Sequence, residues 1–369
     1  MLLQKLRCFH FKNYAAIELN FATQLNCIVG VNGAGKTNLL DAIHYLCLTK
    51  SAFNASDTQN ILHGGMQMGI QGDFLKMGRL YEIKCMISRE QGKLLQNNGK
   101  EYEKLRDHLG QFPVVFTTPY DAELIQGKSE VRRKFFDSIL CQIDPNYLRM
   151  LVQYQHLIKH RNTLLKLYAE NSRVDRTLIA TYDAQLLLLN KELYTLRKNF
   201  IEGFYPLLQQ HYQYFVQAPE IIDLIYESDI ANPNFEQIYS DNFYQDLTLQ
   251  RTVLGIHRDE FACMLNGYPI KKFGSQGQQK SFIIALRLAQ FTSIKQALGF
   301  TPLLLLDDIF DKLDEQRIER LVYLITQQYF GQVWITDASG IRSAHIIKNI
   351  QANKALFRID GGKVVENII

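Results

Sequence analysis

The sequence predicts an α/β fold whose strands and helices come from the two ends of the chain, with a mainly helical lobe inserted between them. Three observations carry this. Near the start, over 25–48, a short apolar strand runs straight into a glycine-rich loop and an apolar helix. Strands and helices alternate again after Pro302, while between 129 and 217 apolar residues recur every three or four positions, the spacing of helices packed along one face. At 369 residues the chain exceeds the size at which a single core usually stops growing, so more than one lobe is expected.

Taken in order, residues 2–11, 17–21 and 25–30 read as short apolar strands with Lys12-Asn-Tyr14 as the first turn. The helix over 37–48 has apolar residues at 39, 40, 42, 43, 46 and 47. Residues 70–74, 80–87 and 93–96, broken by Met77-Gly-Arg79 and Asn97-Asn-Gly-Lys100, form an antiparallel hairpin group. A strand over 113–117 follows. The helical stretch of 129–217 has a single interior break at 170–175 and predicts two antiparallel helices, with Tyr147, Leu151, Tyr154 and Leu157 facing Leu186, Leu189, Leu193 and Leu196. The first is about 25 residues, or ~37 Å, which makes a short arm rather than a long coiled coil. A strand over 221–226, a strand pair over 258–272 turned at Asn266-Gly267, and a long helix over 278–298 come next. The chain closes with a buried strand at 303–306, a helix over 315–328, a strand over 332–336, a helix over 341–350 and a hairpin turned at Asp360-Gly-Gly362.

Composition narrows the class. An apolar fraction of 47% is ordinary for a globular protein, and no segment reaches the roughly 18 uninterrupted apolar residues of a membrane span. No membrane association is expected. The six cysteines are scattered without a C-x-x-C pair, which argues against a zinc site or a disulfide framework and fits reduced thiols in the cytoplasm. A net charge of +4 is compatible with nucleic acid without pointing to it.

The chemistry lies in two distant motifs. Gly30-Val-Asn-Gly-Ala-Gly-Lys-Thr37 fits the phosphate-loop spacing GxxxxGK[ST]. Gly30, Val31, Asn32, Gly33, Ala34 and Gly35 supply backbone N–H groups, Lys36 neutralises the terminal phosphates, and the Thr37 hydroxyl coordinates Mg²⁺. Asn38 is placed to reach a metal-bound water or a partner chain. Asp307, at the end of the apolar strand Leu303-Leu-Leu-Leu306, is where a carboxylate holds Mg²⁺ against the phosphates of ATP, and Asp308 is placed to take a proton from, or orient, the attacking water. Asp314 of Asp311-Lys-Leu-Asp314 suits a helix N-cap as well as a functional role. Roughly 240 residues after the phosphate loop, Gly274-Ser-Gln-Gly-Gln-Gln-Lys-Ser281 opens a helix with Ser275, Gly277 and Gln278. On its own this is a capping box, with Ser at the N-cap and Gln at N3. Beside the two nucleotide motifs it resembles the signature motif of ABC-type ATPases, which covers the γ-phosphate of a nucleotide held by the opposite subunit.

With these motifs, Leu6-Arg-Cys-Phe-His-Phe-Lys-Asn-Tyr14, Phe116-Thr-Thr-Pro-Tyr-Asp121, Arg132-Arg-Lys-Phe-Phe-Asp137, Gly255-Ile-His-Arg-Asp-Glu260 and Ala285-Leu-Arg-Leu-Ala289 occur in an order and spacing that resemble the RecF family. These are bacterial recombinational-repair ATPases related to SMC-type proteins. The resemblance implies an α/β ABC-type ATPase head, a P-loop NTPase, split over 1–117 and 251–369, with an inserted helical lobe over 118–250 that carries a short antiparallel helical arm. It implies an ATP-dependent homodimer with two nucleotides sandwiched between subunits, Lys36, Thr37, Asp307 and Asp308 from one and Ser275, Gly277 and Gln278 from the other. Binding to DNA at single-stranded gaps and duplex junctions is also implied, as is action with RecR and RecO in loading RecA and in the SOS response. Gln276 stands where transporters usually have Gly, and Asp308 where Glu is more common, so slow, switch-like hydrolysis is expected; the resemblance adds that the ATPase is weak and stimulated by DNA.

For DNA itself, Arg132, Arg133, Lys134, Lys159, His160, Arg161, Lys271 and Lys272 are candidate phosphate contacts, although a solvated helix face accounts for many such runs. His156 and His160 share a helix face but lack a third ligand for a metal. Arg258 suits either a pair with Asp259 or Glu260 or a contact to nucleotide. A nucleotide-binding subunit of a transporter would share the ATP motifs, yet has no need of the inserted lobe. A non-hydrolysing scaffold would not need Lys36, Asp307 and Asp308 together.

Overall fold

The computed structural model describes residues 1–170, 175–216, 219–309, 314–327, 329–338 and 352–368. The expected helix over 341–350, Asp311 and the interior of the 170–175 break lie outside them. In chain order the strands are β1 (Leu2–Phe11), β2 (Tyr14–Asn20), β3 (Leu25–Val29), β4 (Gln67–Lys76), β5 (Arg79–Ser88), β6 (Gly92–Asn97), β7 (Lys100–Glu101), β8 (Val114–Thr117), β9 (Ile222–Glu227), β10 (Glu260–Leu265), β11 (Tyr268–Pro269), β12 (Leu303–Leu306), β13 (Val333–Asp337), β14 (Lys354–Asp360) and β15 (Lys363–Ile368). The helices are α1 (Lys36–Leu48), α2 (Glu123–Gln126), α3 (Ser129–Ile143), α4 (Pro145–Glu170), α5 (Arg176–Phe215), α6 (Phe235–Asp241), α7 (Phe243–Leu249), α8 (Ile270–Phe273), α9 (Gln276–Leu298) and α10 (Glu315–Thr326).

The chain forms two compact units, one of Met1–Asp121 with Gln290–Ile369 and one of Ala122–Ala289. The first holds two sheets. One is antiparallel, in the order β2-β1-β4-β5-β6-β7, and β4 alternates buried and half-exposed residues as a strand with one covered face does. The other runs β15-β14-β3-β13-β12-β8 and is parallel except at β15. Its strands β3, β8, β12 and β13 are buried along their whole length, which is why they read as mainly apolar runs, with Asn26, Thr117, Thr336 and Asp337 as their polar members. Helix α1 packs with residues of both sheets in one core, and Leu39, Leu40, Ile43 and Leu46 are fully buried there, at ~1.5–3 kcal/mol each. A helix buried on nearly every side takes such a position, and its one fully buried acid, Asp41, is paired with Lys12.

The second unit is built on α3, α4 and α5 with the small sheet β11-β10-β9. Here the expectations need two corrections. A further break falls at Asp144, whose extended backbone (φ −131°, ψ 102°) precedes Pro145: proline disfavours helical geometry in the residue before it, so α3 and α4 are separate. Helix α5 runs for 40 residues, as the helical stretch after the 170–175 break predicts, and so extends well beyond its 26-residue partner. Residues 270–273 are a helical turn rather than the end of a strand, because β11 stops at Pro269.

The return to the first unit also comes at Gln290 rather than at 251, since β10 pairs antiparallel with β9 over six residue pairs and keeps the intervening segment in the second unit. The α4–α5 pair is antiparallel, as the spacing predicts, with Tyr147, Leu151, Tyr154, Leu157, Leu186, Leu189 and Leu193 in one core.

Candidate functional site

Three neighbouring strands of the parallel sheet deliver the site at their carboxyl ends, the usual place for a ligand in such a sheet. β3 opens into the loop 30–35, β12 leads to Asp307 and Asp308, and β13, between them, ends in Thr336 and Asp337. The Thr336 hydroxyl donates to Asp307 Oδ1 at 2.7 Å and accepts the Asp308 backbone N–H at 2.9 Å. The Thr37 hydroxyl lies 3.0 and 2.9 Å from the two Asp307 oxygens. Asp307 is therefore fixed from both sides.

The loop is braced from outside. Gly35 has φ +119°, and a Cβ there would come within 2.5 Å of Asn13 Nδ2, so side chains are excluded by conformation and by space. Asn13 Nδ2 donates to the Ala34 carbonyl at 3.1 Å, the Tyr14 hydroxyl to that of Gly35 at 2.9 Å, and the Gly362 N–H to that of Ala34 at 3.0 Å. A Cβ on Gly30 would meet the Ile359 carbonyl oxygen at 2.2 Å. Lys36 Nζ folds back onto the carbonyls of Gly30 at 2.9 Å and Val31 at 3.3 Å, while Val31, Asn32 and Gly33 are exposed at the loop tip. Asn38 Nδ2 donates to Asn13 Oδ1 at 2.8 Å.

Next to this loop lies a cavity of about 390 Å³ whose lining includes Lys12, Thr37, Asn38, Phe53, Tyr120, Asp307 and Asp308. Lys12 (φ +52°) and Asp308 (φ +45°) both hold left-handed backbone conformations, at ~1–3 kcal/mol each for residues with a side chain. Lys12 Nζ sits 2.6 Å from the fully buried Asp41, which also accepts the Ser51 hydroxyl at 2.6 Å and the Ala52 N–H at 2.7 Å. Burial raises the Asp307 carboxyl above the usual carboxylate range, bonds from Thr336 and Thr37 lower it, and the neighbouring Asp308 adds to the rise. A hard cation at this point would favour the ionised form. The donor set is a hydroxyl and a carboxylate, and among the described residues no group of three or more His, Cys, Asp or Glu could hold a metal unaided. Such a set suits Mg²⁺, which takes one or two protein oxygens and completes its shell with phosphate and water.

Asn13, Tyr14, Thr336 and Gly362 are the functional neighbours that motif spacing passes over. The first two stand in the Lys12-Asn-Tyr14 turn, whereas Thr336 carries no local mark.

In the second unit, Ser275 and Gln278 close a reciprocal capping box on α9, with Ser275 N–H donating to Gln278 Oε1 at 2.7 Å and Gln278 N–H to Ser275 Oγ at 3.2 Å. Gln278 Nε2 also donates to Glu220 at 2.9 Å, and Gly277 lies in the first turn of α9. The partners open to Arg258 are taken: Asp259 binds Arg197 at 2.7 Å and Glu260 binds Arg132 at 2.7 and 2.6 Å, leaving Arg258 exposed. Two candidate DNA contacts are thereby corrected. Arg161 is fully buried, bonded to Asp183 and Asp246 at 2.6 Å and to Thr252 at 2.8 Å, and Arg132 is committed to Glu260. Lys134 pairs with Glu130 at 2.6 Å on its own helix, while Arg133 is half-buried and Lys159, His160, Lys271 and Lys272 are exposed.

Residues 2–340 match the family described as RecF/RecN/SMC N terminal domain. A DNA replication and repair protein RecF of Flavobacterium johnsoniae is 42% identical, over 97% of this chain and 100% of that protein. Among solved structures, the recombination mediator protein RecF-ATP in the RecFOR pathway is similar in fold, with TM-score 0.90 and 24% identity over 100% of this chain and 98% of that one. An Smc head domain from Pyrococcus furiosus, bound to the C-terminal domain of ScpA, is similar at TM-score 0.58 and 16% identity, over 100% of this chain and 96% of that one.

Proposed function

The chain belongs to the RecF family of SMC-related ATPases, and from that premise we propose that it acts in DNA repair as an ATP-gated DNA-binding dimer. The observation that carries this reading is the meeting of Thr37 and Asp307 beneath a braced phosphate loop, beside a cavity that Asp308 also lines. The loop N–H groups and the α1 N-terminus hold the phosphates. Lys36, now on the Gly30 and Val31 carbonyls, exchanges those neutral acceptors for charged phosphate oxygens. Mg²⁺ held by Thr37 and Asp307 would neutralise charge on the phosphate oxygens. Asp308 orients the attacking water and takes its proton, and Thr336 fixes the Asp308 backbone so that the carboxylate faces the cavity.

Ser275, Gly277 and Gln278 of one subunit are proposed to cover the nucleotide held by Lys36, Thr37, Asp307 and Asp308 of the other. ATP then links the two subunits, and hydrolysis releases them. Hydrolysis is slow because the shorter Asp308 acts where a Glu is more usual, and, as the family reading adds, it is weak and stimulated by DNA. The dimer binds single-stranded gaps and duplex junctions, acts with RecR and through it RecO, and promotes RecA loading and the SOS response. The proposed place of action is the cytoplasm, and no described helix is long and apolar enough to cross a membrane.

Equilibrium binding of a gapped duplex to the full chain tests the reading: tighter binding with ATP than with ADP is expected, and equal binding in both would overturn the gating.

A further inference from the structure

We infer that a cleft beside the start of α3, edged by Lys128, Arg133, Arg258 and Lys271, binds the phosphate backbone of nucleic acid. The inference rests on the DNA-binding reading and names a surface for it.

The cleft has a volume of about 510 Å³, and five of its lining residues are cations against one acid, Glu130. Two of these charges are already cancelled. Arg132 is neutralised by Glu260 at 2.7 and 2.6 Å, and Glu130 by Lys134 at 2.6 Å. The other four cations have no ion pair with a carboxylate among the described residues. Arg133 donates to a neutral acceptor, the Asp259 carbonyl, at 2.6 Å, and Lys271 donates to the Gln126 carbonyl. Lys128 and Arg258 are exposed. Burial, and then Arg197, hold Arg133 below its ordinary range, with Arg258 adding to the fall and Asp259 and Glu260 opposing it.

The lining also says what the ligand is. It contains no aromatic or large apolar side chain, so a nucleobase or an acyl chain finds nothing to stack on or bury against. What remains is charge on a concave surface, which suits a repeated phosphodiester read without regard to base. The cleft is joined to the Ser275 helix by hydrogen bonds within the same unit: Gln126 Nε2 donates to Gln279 Oε1 at 2.6 Å, and Gln279 Nε2 to the Gly274 carbonyl at 2.9 Å. Backbone phosphate drawn to Lys271 therefore bears on the frame that holds Gly274 and Ser275.

The test is fluorescence anisotropy of a labelled gapped duplex with the full chain and ATP across a salt series. Arg258→Gln with Lys271→Gln is expected to weaken binding about tenfold and to reduce the salt slope by about 2, with ATP affinity unchanged. Lys166→Gln with Lys191→Gln, which removes the same charge from exposed helix positions elsewhere, is expected to bind as the parent does. Lys128→Gln, at an exposed side chain, gives an independent loss of about 1 in slope. Parent-like affinity and slope in the double variant would overturn the cleft while leaving the DNA-binding reading intact. Failure of the parent to bind at any salt would overturn both. Pyrophosphate binding that disappears in the double variant while DNA binding does not would make this a free-phosphate site and would also overturn the inference.

Discussion

The Thr37 hydroxyl stands 3.0 and 2.9 Å from the two carboxylate oxygens of Asp307, which lies 270 residues later in the sequence. Neither group is brought to the other by its own neighbours in the chain. Thr37 is set by the first turn of α1 and Asp307 by the end of β12, and the parallel sheet brings the two together. A cation between them would take one oxygen from each. Asp307→Asn keeps an acceptor for Thr37 but removes the charge, so ATP affinity in Mg²⁺ is expected to fall about tenfold or more, as loss of a charged interaction of ~1.5–3 kcal/mol implies. ADP affinity without Mg²⁺ should change little, and calorimetric titration in both conditions reads the difference.

Asp308 is separable from its neighbour. It lines the cavity but contributes less to the Thr37 clamp, since its nearest described partner, Thr336 Oγ1, is 3.4 Å from Oδ1. Asp308→Asn is expected to retain ATP binding while lowering hydrolysis by about 10²–10⁴, the usual yield of a positioned acid or base. Single-turnover phosphate release checks this, and unchanged release would remove Asp308 from the chemistry.

Arg197 is the structural counterpart in the second unit. It is almost wholly buried and donates to Asp137, Tyr147, Asp259 and the Ile256 carbonyl, all within 3.2 Å. Arg197→Met removes the only cation bonded to both Asp137 and Asp259 among the described residues and leaves those acids without it. A loss of about 3–5 kcal/mol in urea unfolding is expected. A loss below about 1 kcal/mol would show that the acids find other partners.

How much of this was legible in the sequence depends on where the constraint lies. The phosphate loop declares itself because its backbone tolerates few residue types: Gly35 at φ +119° against Asn13 can be nothing larger. The strands β3 and β12 show because burial on both faces leaves them mainly apolar, with Asn26 in β3 tolerated by its bonds to Ala22. The break at Asp144 was hidden because the apolar spacing continues across it, although Pro145 marked it. The second unit boundary depends on β10 choosing β9 as partner, a long-range pairing that no local pattern records. Charge runs mislead for the same reason. Arg161 resembles a solvated residue until Asp183 and Asp246 fold against it.

Acid should weaken the second unit through Glu260. Burial by itself would raise this carboxyl, but the bonds from Arg132 and Ser129, the Arg132 charge and the Phe261 N–H bring it down to about 2. Its folded value is lower than its unfolded one, so the stabilisation is complete above about 4.5 and is lost as pH falls toward about 2. Glu260→Gln should therefore be less stable than the parent at neutral pH, with the gap closing through that window in urea midpoints measured against pH. A gap that stays constant from neutral pH to pH ~2 would mean the carboxylate's charge is not the source.

The proposed ATP-gated dimer is tested most directly by sedimentation velocity of the full chain with ATP, with ADP and without nucleotide. The expected result is a dimer with ATP alone, lost in Ser275→Arg while ATP binding persists. A monomer in all three conditions, or a Ser275→Arg variant that dimerises as the parent does, would contradict it.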